Sequence, residues 1–259
     1  MKSSIKVIPL VIAGLWAACN LSPVSAEEFN LEQMVQAGKR VKQVKSPKAY
    51  QLYHVTPPEI PNSDLEFTGP LYMKLADGKV RQIADHVEIS RISPDGRTFF
   101  TNHEQKLYIV NDSGTPELIA ENVSSNFAFD KTGKHILVSR PIDVDILKLD
   151  LISRDGKTVR NILPEGNYIA PRFTPDGKQI LYASSDTGIV SWYIVNIDGT
   201  NKRQLTNVGM KSGRMTDEFV PIMSTSDDAG FIDDTHFKYR EGTDIWVLDI
   251  TTGKASKIK

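Results

Sequence analysis

Cysteine is nearly missing from this chain of 259 residues: Cys19 stands alone. A single sulfur excludes a disulfide framework, a multi-cysteine zinc site and an iron–sulfur cluster built within the chain. A surplus of one charge is missing too. The chain has 31 Lys and Arg against 32 Asp and Glu, a formal net charge of -1. It lacks the basic excess on which general nucleic-acid binding by counterion release depends, so nucleic acid is not an expected partner. Glycine (17) and proline (14) stand at ordinary levels, which excludes collagen-like and low-complexity chains. Long apolar runs are scarce. The one strong stretch, Val7 to Ala18, falls short of the about 20 residues that cross a bilayer.

That stretch has another use. Lys2 and Lys6 precede it, and Val24-Ser25-Ala26 follows as a small-x-small site ahead of Glu27 and Glu28. A basic start, a short apolar centre and small residues at the cut form the pattern of a secretory signal. Residues 1–26 are therefore expected to be removed, leaving a periplasmic or secreted chain with no membrane span. Trp16-Ala17-Ala18-Cys19 loosely resembles a lipoprotein box, and the lesser alternative is a lipid anchor on Cys19.

What the chain has in quantity is repetition. Five segments share one plan: an alternating aromatic and aliphatic strand, a tight Asp/Gly turn, and a second strand ending in Ile or Leu. Their turn glycines, Gly78, Gly114, Gly156, Gly199 and Gly253, are spaced 36, 42, 43 and 54 residues apart. Between them lies a second hairpin type. Ser93-Pro94-Asp95-Gly96, Asp130-Lys131-Thr132-Gly133 and Thr174-Pro175-Asp176-Gly177 each precede an apolar strand, with a worn copy at Ile232-Asp233-Asp234-Thr235. Proline presets φ, aspartate bonds back to the backbone, and glycine accepts the positive φ of the turn. Four short strands in about 42 residues is the size of a propeller blade. The expectation is an all-β chain: a β-propeller of five blades of four antiparallel strands over residues 49–259. Residues 27–48 are expected to form a short helical arm, from the spacing of Phe29, Leu31, Met34, Val35, Val41 and Val44.

The run FTPDGKQILYASSDTGIVSWYIVNIDGTNKRQLT, Phe173 to Thr206, closely resembles the repeat of TolB-like periplasmic proteins and of the propellers in prolyl-oligopeptidase-like enzymes. The resemblance covers roughly residues 69–259. It implies a propeller scaffold and a binding role in the cell envelope. TolB proteins carry a sizeable α/β domain before the propeller, whereas here only Glu27 to about Lys48 precede the first expected blade.

Chemistry-bearing motifs are few. No Gly-x-Ser-x-Gly elbow, His-Glu-x-x-His or phosphate loop occurs in the sequence. His54, His86, His103, His135 and His236 are far apart along the chain, and no metal or cofactor is expected. Turn chemistry accounts for the aspartates of the hairpins. With strands running outward in each blade, the Asp/Gly turns share one face, and the remaining connections, different in every blade, share the other. Recognition concentrates on variable loops. The candidates there are His103, Arg140, Tyr168 and, in the longest insertion, Met210, Arg214, Met215, Asp217, Glu218 and Phe219. Methionine and aromatic groups among charges suit an adaptable partner surface. The expected function is a monomeric, non-catalytic module that binds a protein or peptide. The alternative is a glycoside-active enzyme using Glu88, Asp217 and Glu218 at the channel mouth. Mass spectrometry of the exported form should find Glu27 as the first residue. A diacylated Cys19 overturns the soluble assignment.

Overall fold

The computed structural model describes residues 31–36, 39–45, 50–56, 68–74, 78–143, 146–187, 190–206, 230–241 and 244–258. Residues 1–30, Cys19 among them, and residues 207–229 lie outside that set. Nineteen strands and one short helix make up the described elements. The first sheet runs in chain order through β1 (Arg40–Lys45), β2 (Gln51–Thr56), β3 (Gly69–Lys74), β4 (Val80–Ile92), β5 (Thr98–Asn102), β6 (Leu107–Val110) and β7 (Pro116–Ala120). The second holds β8 (Phe127–Phe129), β9 (His135–Asp143), β10 (Ile146–Ser153) and β11 (Val159–Gly166). The third holds β12 (Ile169–Phe173), β13 (Gln179–Ser184), β14 (Ser191–Asn196) and β15 (Arg203–Gln204). The fourth holds β16 (Gly230–Phe231), β17 (His236–Glu241), β18 (Asp244–Asp249) and β19 (Ala255–Lys257). Every pairing is antiparallel between neighbours in sequence, as short hairpin connections require. Among the described residues no helix is long and apolar enough to cross a membrane.

The seven-stranded sheet contains two four-strand units that share one strand. Val80–Ala84 of β4 pairs with β3, and Val87–Ile92 pairs with β5, with a register shift between them at Asp85 and His86. Each unit resembles one of the separate four-stranded sheets. Alternation then does the packing, because adjacent residues of a strand point to opposite faces. Phe100 joins Leu52, Leu71 and Ile83 on one side, while Phe99 joins Phe127, Ile136 and Val138 on the other. Leu137 and Ile180 fill the layer between the second and third sheets; Leu181, Trp192 and Phe237 fill the layer between the third and fourth. The second and third sheets bury both faces, and each fully buried Leu or Phe contributes about 1.5–3 kcal/mol. The first strands of the second and third sheets, β8 and β12, lie against one another.

The N-terminal arm differs from the sequence expectation. The helix α1 spans only Leu31–Gln36, and Arg40–Lys45 is a strand paired with β2 from Arg40↔Thr56 to Lys45↔Gln51. Six residues are too few for a helix to hold on propensity alone. Arg-Val-Lys-Gln-Val-Lys also alternates at period two, and Val41 packs beside Tyr53, Val55 and Tyr72. The sheet thus begins at Arg40 rather than near residue 49.

Two kinds of turn hold this stack. In the Pro-Asp-Gly type, the Thr174 hydroxyl donates to Asp176 Oδ1 at 2.7 Å, and the Lys178 N–H donates to the same oxygen at 3.0 Å. Gly177 closes the turn at φ +74°, and a Cβ there would make only ordinary contact, 3.9 Å from the Lys131 side chain. The worn copy uses Asp233, which accepts the Thr235 N–H at 2.8 Å and the His236 N–H at 2.7 Å. The Thr235 N–H, followed by the His236 ring, holds Asp233 at about 2 against an ordinary 3.8. Asp249 is lowered too, chiefly by the Thr251 and Thr252 hydroxyls. The other turn type adds a contact between sheets. A Cβ on Gly156 (φ +71°) would lie 2.1 Å from the carbonyl oxygen of Ile119, the end of the preceding sheet. Gly199 and Gly253 meet the Ile162 and Leu205 carbonyls at 2.7 and 2.5 Å in the same way.

Gly177→Ala should therefore cost about 1 kcal/mol from the left-handed backbone alone. Gly156→Ala should cost clearly more, because a neighbouring backbone must also move. Urea denaturation of both variants decides this, and equal losses overturn the contact between sheets. The turn aspartates set the acid limit. They titrate lower in the folded chain, so as pH falls the unfolded chain takes up protons first. Stability should be full above about pH 4 and lost as pH drops toward about 2. Thermal melts across that window should show the decline, shallower in Asp233→Asn; a flat profile removes the turn carboxylates from the stability account.

Candidate functional site

The hydrogen bonds separate two faces. On one, the two turn types interlock: Arg154 N–H donates to Lys134 O at 2.9 Å, Ile197 N–H to Lys178 O at 3.0 Å, and Ile250 N–H to Thr235 O at 2.9 Å. Its aspartates are spent on turn hydrogen bonds, and His135 and His236 lie 2.9 Å from Asp130 and Asp233. Carboxylates so engaged are held ionised and have no free geometry for proton transfer.

The opposite face is irregular. The N–H of His103 donates to His86 O at 3.2 Å, and their rings meet edge to face with centroids 4.9 Å apart. The Val123 N–H reaches Gln105 O at 2.8 Å, and the Asn122 amide reaches Pro141 O at 3.1 Å. Asp186 accepts the Asn167 N–H at 2.9 Å. Left-handed backbone at residues other than glycine gathers here: His86 (φ 51°), Gln105 (58°), Asn122 (54°) and, at the start of β12, Ala170 (47°). Among the described residues, only Asn201 (55°) lies among the turns of the other face. Such residues cost of order 1–3 kcal/mol each and persist where the surroundings or a function hold them, with Asn and His the most tolerant.

The structure sorts the sequence candidates. His103 is exposed in the β5–β6 loop, and its pairing with His86, 17 positions away, was not legible in the spacing. Arg140 is engaged within the fold. Its Nε donates to Asp150 Oδ2 at 2.7 Å, Asp150 is buried, and a second nitrogen donates to the Glu121 carbonyl. Tyr168 is 3% exposed and packs edge to face on Tyr182 with centroids 5.4 Å apart. Burial, with Asp186 nearby, pushes its hydroxyl up to about 12. Its side chain belongs to the core between the second and third sheets. Met210, Arg214, Met215, Asp217, Glu218 and Phe219 lie outside the described residues, so Glu88 on β4 is the described member of the carboxylate set. Among the described residues no three His, Cys, Asp or Glu side chains gather as a metal site would.

Sequence reasoning passed over the arginines. Arg81, Arg160 and Arg203 each stand two residues before the aliphatic that ends a repeat unit: Ile83, Ile162 and Leu205. Each reaches into the next unit. Arg81 donates to Ser113 O at 2.8 Å, Arg160 to Ile197 O at 2.7 Å and Arg203 to Ile250 O at 2.6 Å. The recurring position was a signal present in the repeat alignment. These arginines are fasteners, and a different pair, Arg91 and Arg172, lies on inner strands without such partners.

No family model matches the chain. An uncharacterized protein of Agrobacterium fabrum is 29% identical over 125 residues, 45% of this chain and 42% of that protein. The Tol-Pal system protein TolB of Roseobacter denitrificans is 34% identical over 59 residues, 22% of this chain and 13% of that protein. The chain thus spans less than half the length of the curated relatives it matches. Among solved structures, a protein assigned as TolB from Agrobacterium tumefaciens superposes with a TM-score of 0.54 at 19% identity, over 84% of this chain and 79% of the other. TolB of Acinetobacter baumannii gives 0.53 at 14% identity, over 94% and 75%. A puromycin-hydrolyzing peptidase of Mycobacterium tuberculosis gives 0.59 at 11% identity, over 92% of this chain but 41% of that one. These identities speak for the fold alone, and the fold is the one shared by TolB-like and peptidase-type β-propellers.

Proposed function

We propose that this chain is an exported, non-catalytic β-propeller that captures a protein or peptide partner in the cell envelope. The two units of the first sheet and the three further sheets count as five blades. The observation that carries the binding role is the gathering of His86, Gln105, Asn122 and Ala170, all left-handed, on the irregular face, while the other face is consumed by turns. Strain held on one variable face is the mark of loops shaped for contact. His103 belongs to that surface, together with Met210, Arg214, Met215, Asp217, Glu218 and Phe219 of the longest insertion. The likeness to TolB proteins, one of which is named for the Tol-Pal system, supports an envelope location and a protein partner. The Val24-Ser25-Ala26 site agrees with export. The module acts as a monomer.

Replacing the segment from Met210 to Phe219 by a short Gly-Ser bridge should leave a folded propeller that no longer captures its partner from its own envelope in crosslinking pull-downs. Melting should shift only slightly, because solvated loop tips contribute little to stability. A trimmed chain that unfolds makes the segment structural. A trimmed chain that folds and still captures the partner places the binding surface elsewhere.

A further inference from the structure

Two inner strands carry an arginine at the same point of the repeat. Arg91 stands two residues before Ser93 and Arg172 two before Thr174, and the carbonyls of Ser93 and Thr174 accept the closing N–H of Gly96 and Gly177. The sheet between them closes its turn on Asp130, so its matching residue is Ala128. That position therefore holds no long side chain between the two arginines. Each arginine also follows an irregularity in its strand. The β4–β5 register shifts between Val87 and Ile89, and the β12–β13 register shifts between Ile169 and Arg172, where Ala170 is left-handed. Bulges of this kind re-aim the side chains that follow them.

The surroundings of the two guanidiniums are unusual for cations. Arg91 Cζ lies 5.4 Å from the centroid of the Phe127 ring, and Arg172 Cζ lies 4.8 Å from that of Phe237. Arg172 Nε donates to Ala170 O at 3.3 Å, whereas Arg91 Nε is shut away from solvent with no acceptor. Among the described residues no carboxylate pairs with either arginine, although Arg140 and Arg154 pair with Asp150 and Asp95. Burial lowers Arg91, and burial with the charge of Arg91 lowers Arg172 to about 10; a guanidinium keeps its proton at neutral pH. Partly buried cations with no counter-charge are costly unless something neutralises them. The rings are the neighbours of both guanidiniums, whose terminal nitrogens are donors of the geometry that matches a planar oxyanion.

We propose that Arg91 and Arg172 together receive a carboxylate carried by the polypeptide partner, an aspartate or glutamate side chain or a chain terminus. This rests on the reading of the chain as a protein- or peptide-binding module, whose partner's ordinary anion is a carboxylate. The probe is glutarate, titrated calorimetrically into the purified chain at constant ionic strength, with inorganic phosphate and chloride alongside. Glutarate should bind saturably. Arg91→Gln and Arg172→Gln should each weaken it about tenfold, the scale of one lost charged hydrogen bond, and the double variant should abolish it. Thermal melts of Arg172→Gln without glutarate should still show one cooperative transition, which separates lost binding from lost folding. Arg172→Lys keeps the charge without the planar fork, so it should retain part of the affinity.

Heat no different from chloride, or unchanged glutarate binding by the double variant, overturns the site. Tighter binding of phosphate overturns the carboxylate class. The chain trimmed at Met210 to Phe219 should bind glutarate like the parent, so failure of the loop reading and failure of the arginine reading are told apart. If the double variant loses glutarate but captures the partner undiminished, the assignment of the anion to the partner falls.

Discussion

The contact on which the stack depends is the seating of a turn glycine under the last carbonyl of the preceding sheet. Gly156, Gly199 and Gly253 approach Ile119, Ile162 and Leu205 so closely that no side chain fits between. A sheet hydrophobic on both faces is unstable by itself and must find neighbours. The apolar layers supply the attraction, but they are non-directional. The glycine seat and the arginine fasteners at Arg81, Arg160 and Arg203 set how one sheet sits on the next. Gly78, the matching glycine of the first unit, has no atom of the described residues within 4 Å of where a Cβ would lie.

This arrangement divides the labour between the faces. Where turns must repeat to keep the seats in register, Asp, Thr and Gly recur, and their polar groups satisfy one another. The opposite connections carry no such duty. They differ in length and conformation, and there the chain tolerates left-handed backbone at His86, Gln105 and Ala170. The inner arginines lie between these regimes. They occupy a repeat position, yet their surroundings offer rings instead of carboxylates.

Much of the scaffold was legible in the sequence because its signals are local. Period-two alternation, Pro-Asp-Gly and the spacing of Gly78, Gly114, Gly156, Gly199 and Gly253 each act within a few residues. The positive φ expected of the turn glycines is present at Gly96 and Gly177. The helical arm was misjudged where two periods competed over one segment. Met34 and Val41 fit helical spacing, but pairing with β2 offered Arg40–Lys45 a ladder that an isolated helix could not match.

The candidate site was legible only as a face. Loop variability pointed to the irregular end of the hairpins, and of the residues it offered there Tyr168 is core and Arg140 an internal partner of Asp150. Nothing local distinguishes a loop tyrosine that turns inward from one that turns out. The sequence by itself determined the repeat, the turn chemistry and which connections are free to vary, since these depend on neighbours along the chain. Only the tertiary structure decided that His86 meets His103, that arginines fasten sheet to sheet, and that Arg91 and Arg172 have no counter-charge among the described residues. Those facts depend on which residues of different repeats face one another, and that is set by how the sheets stack.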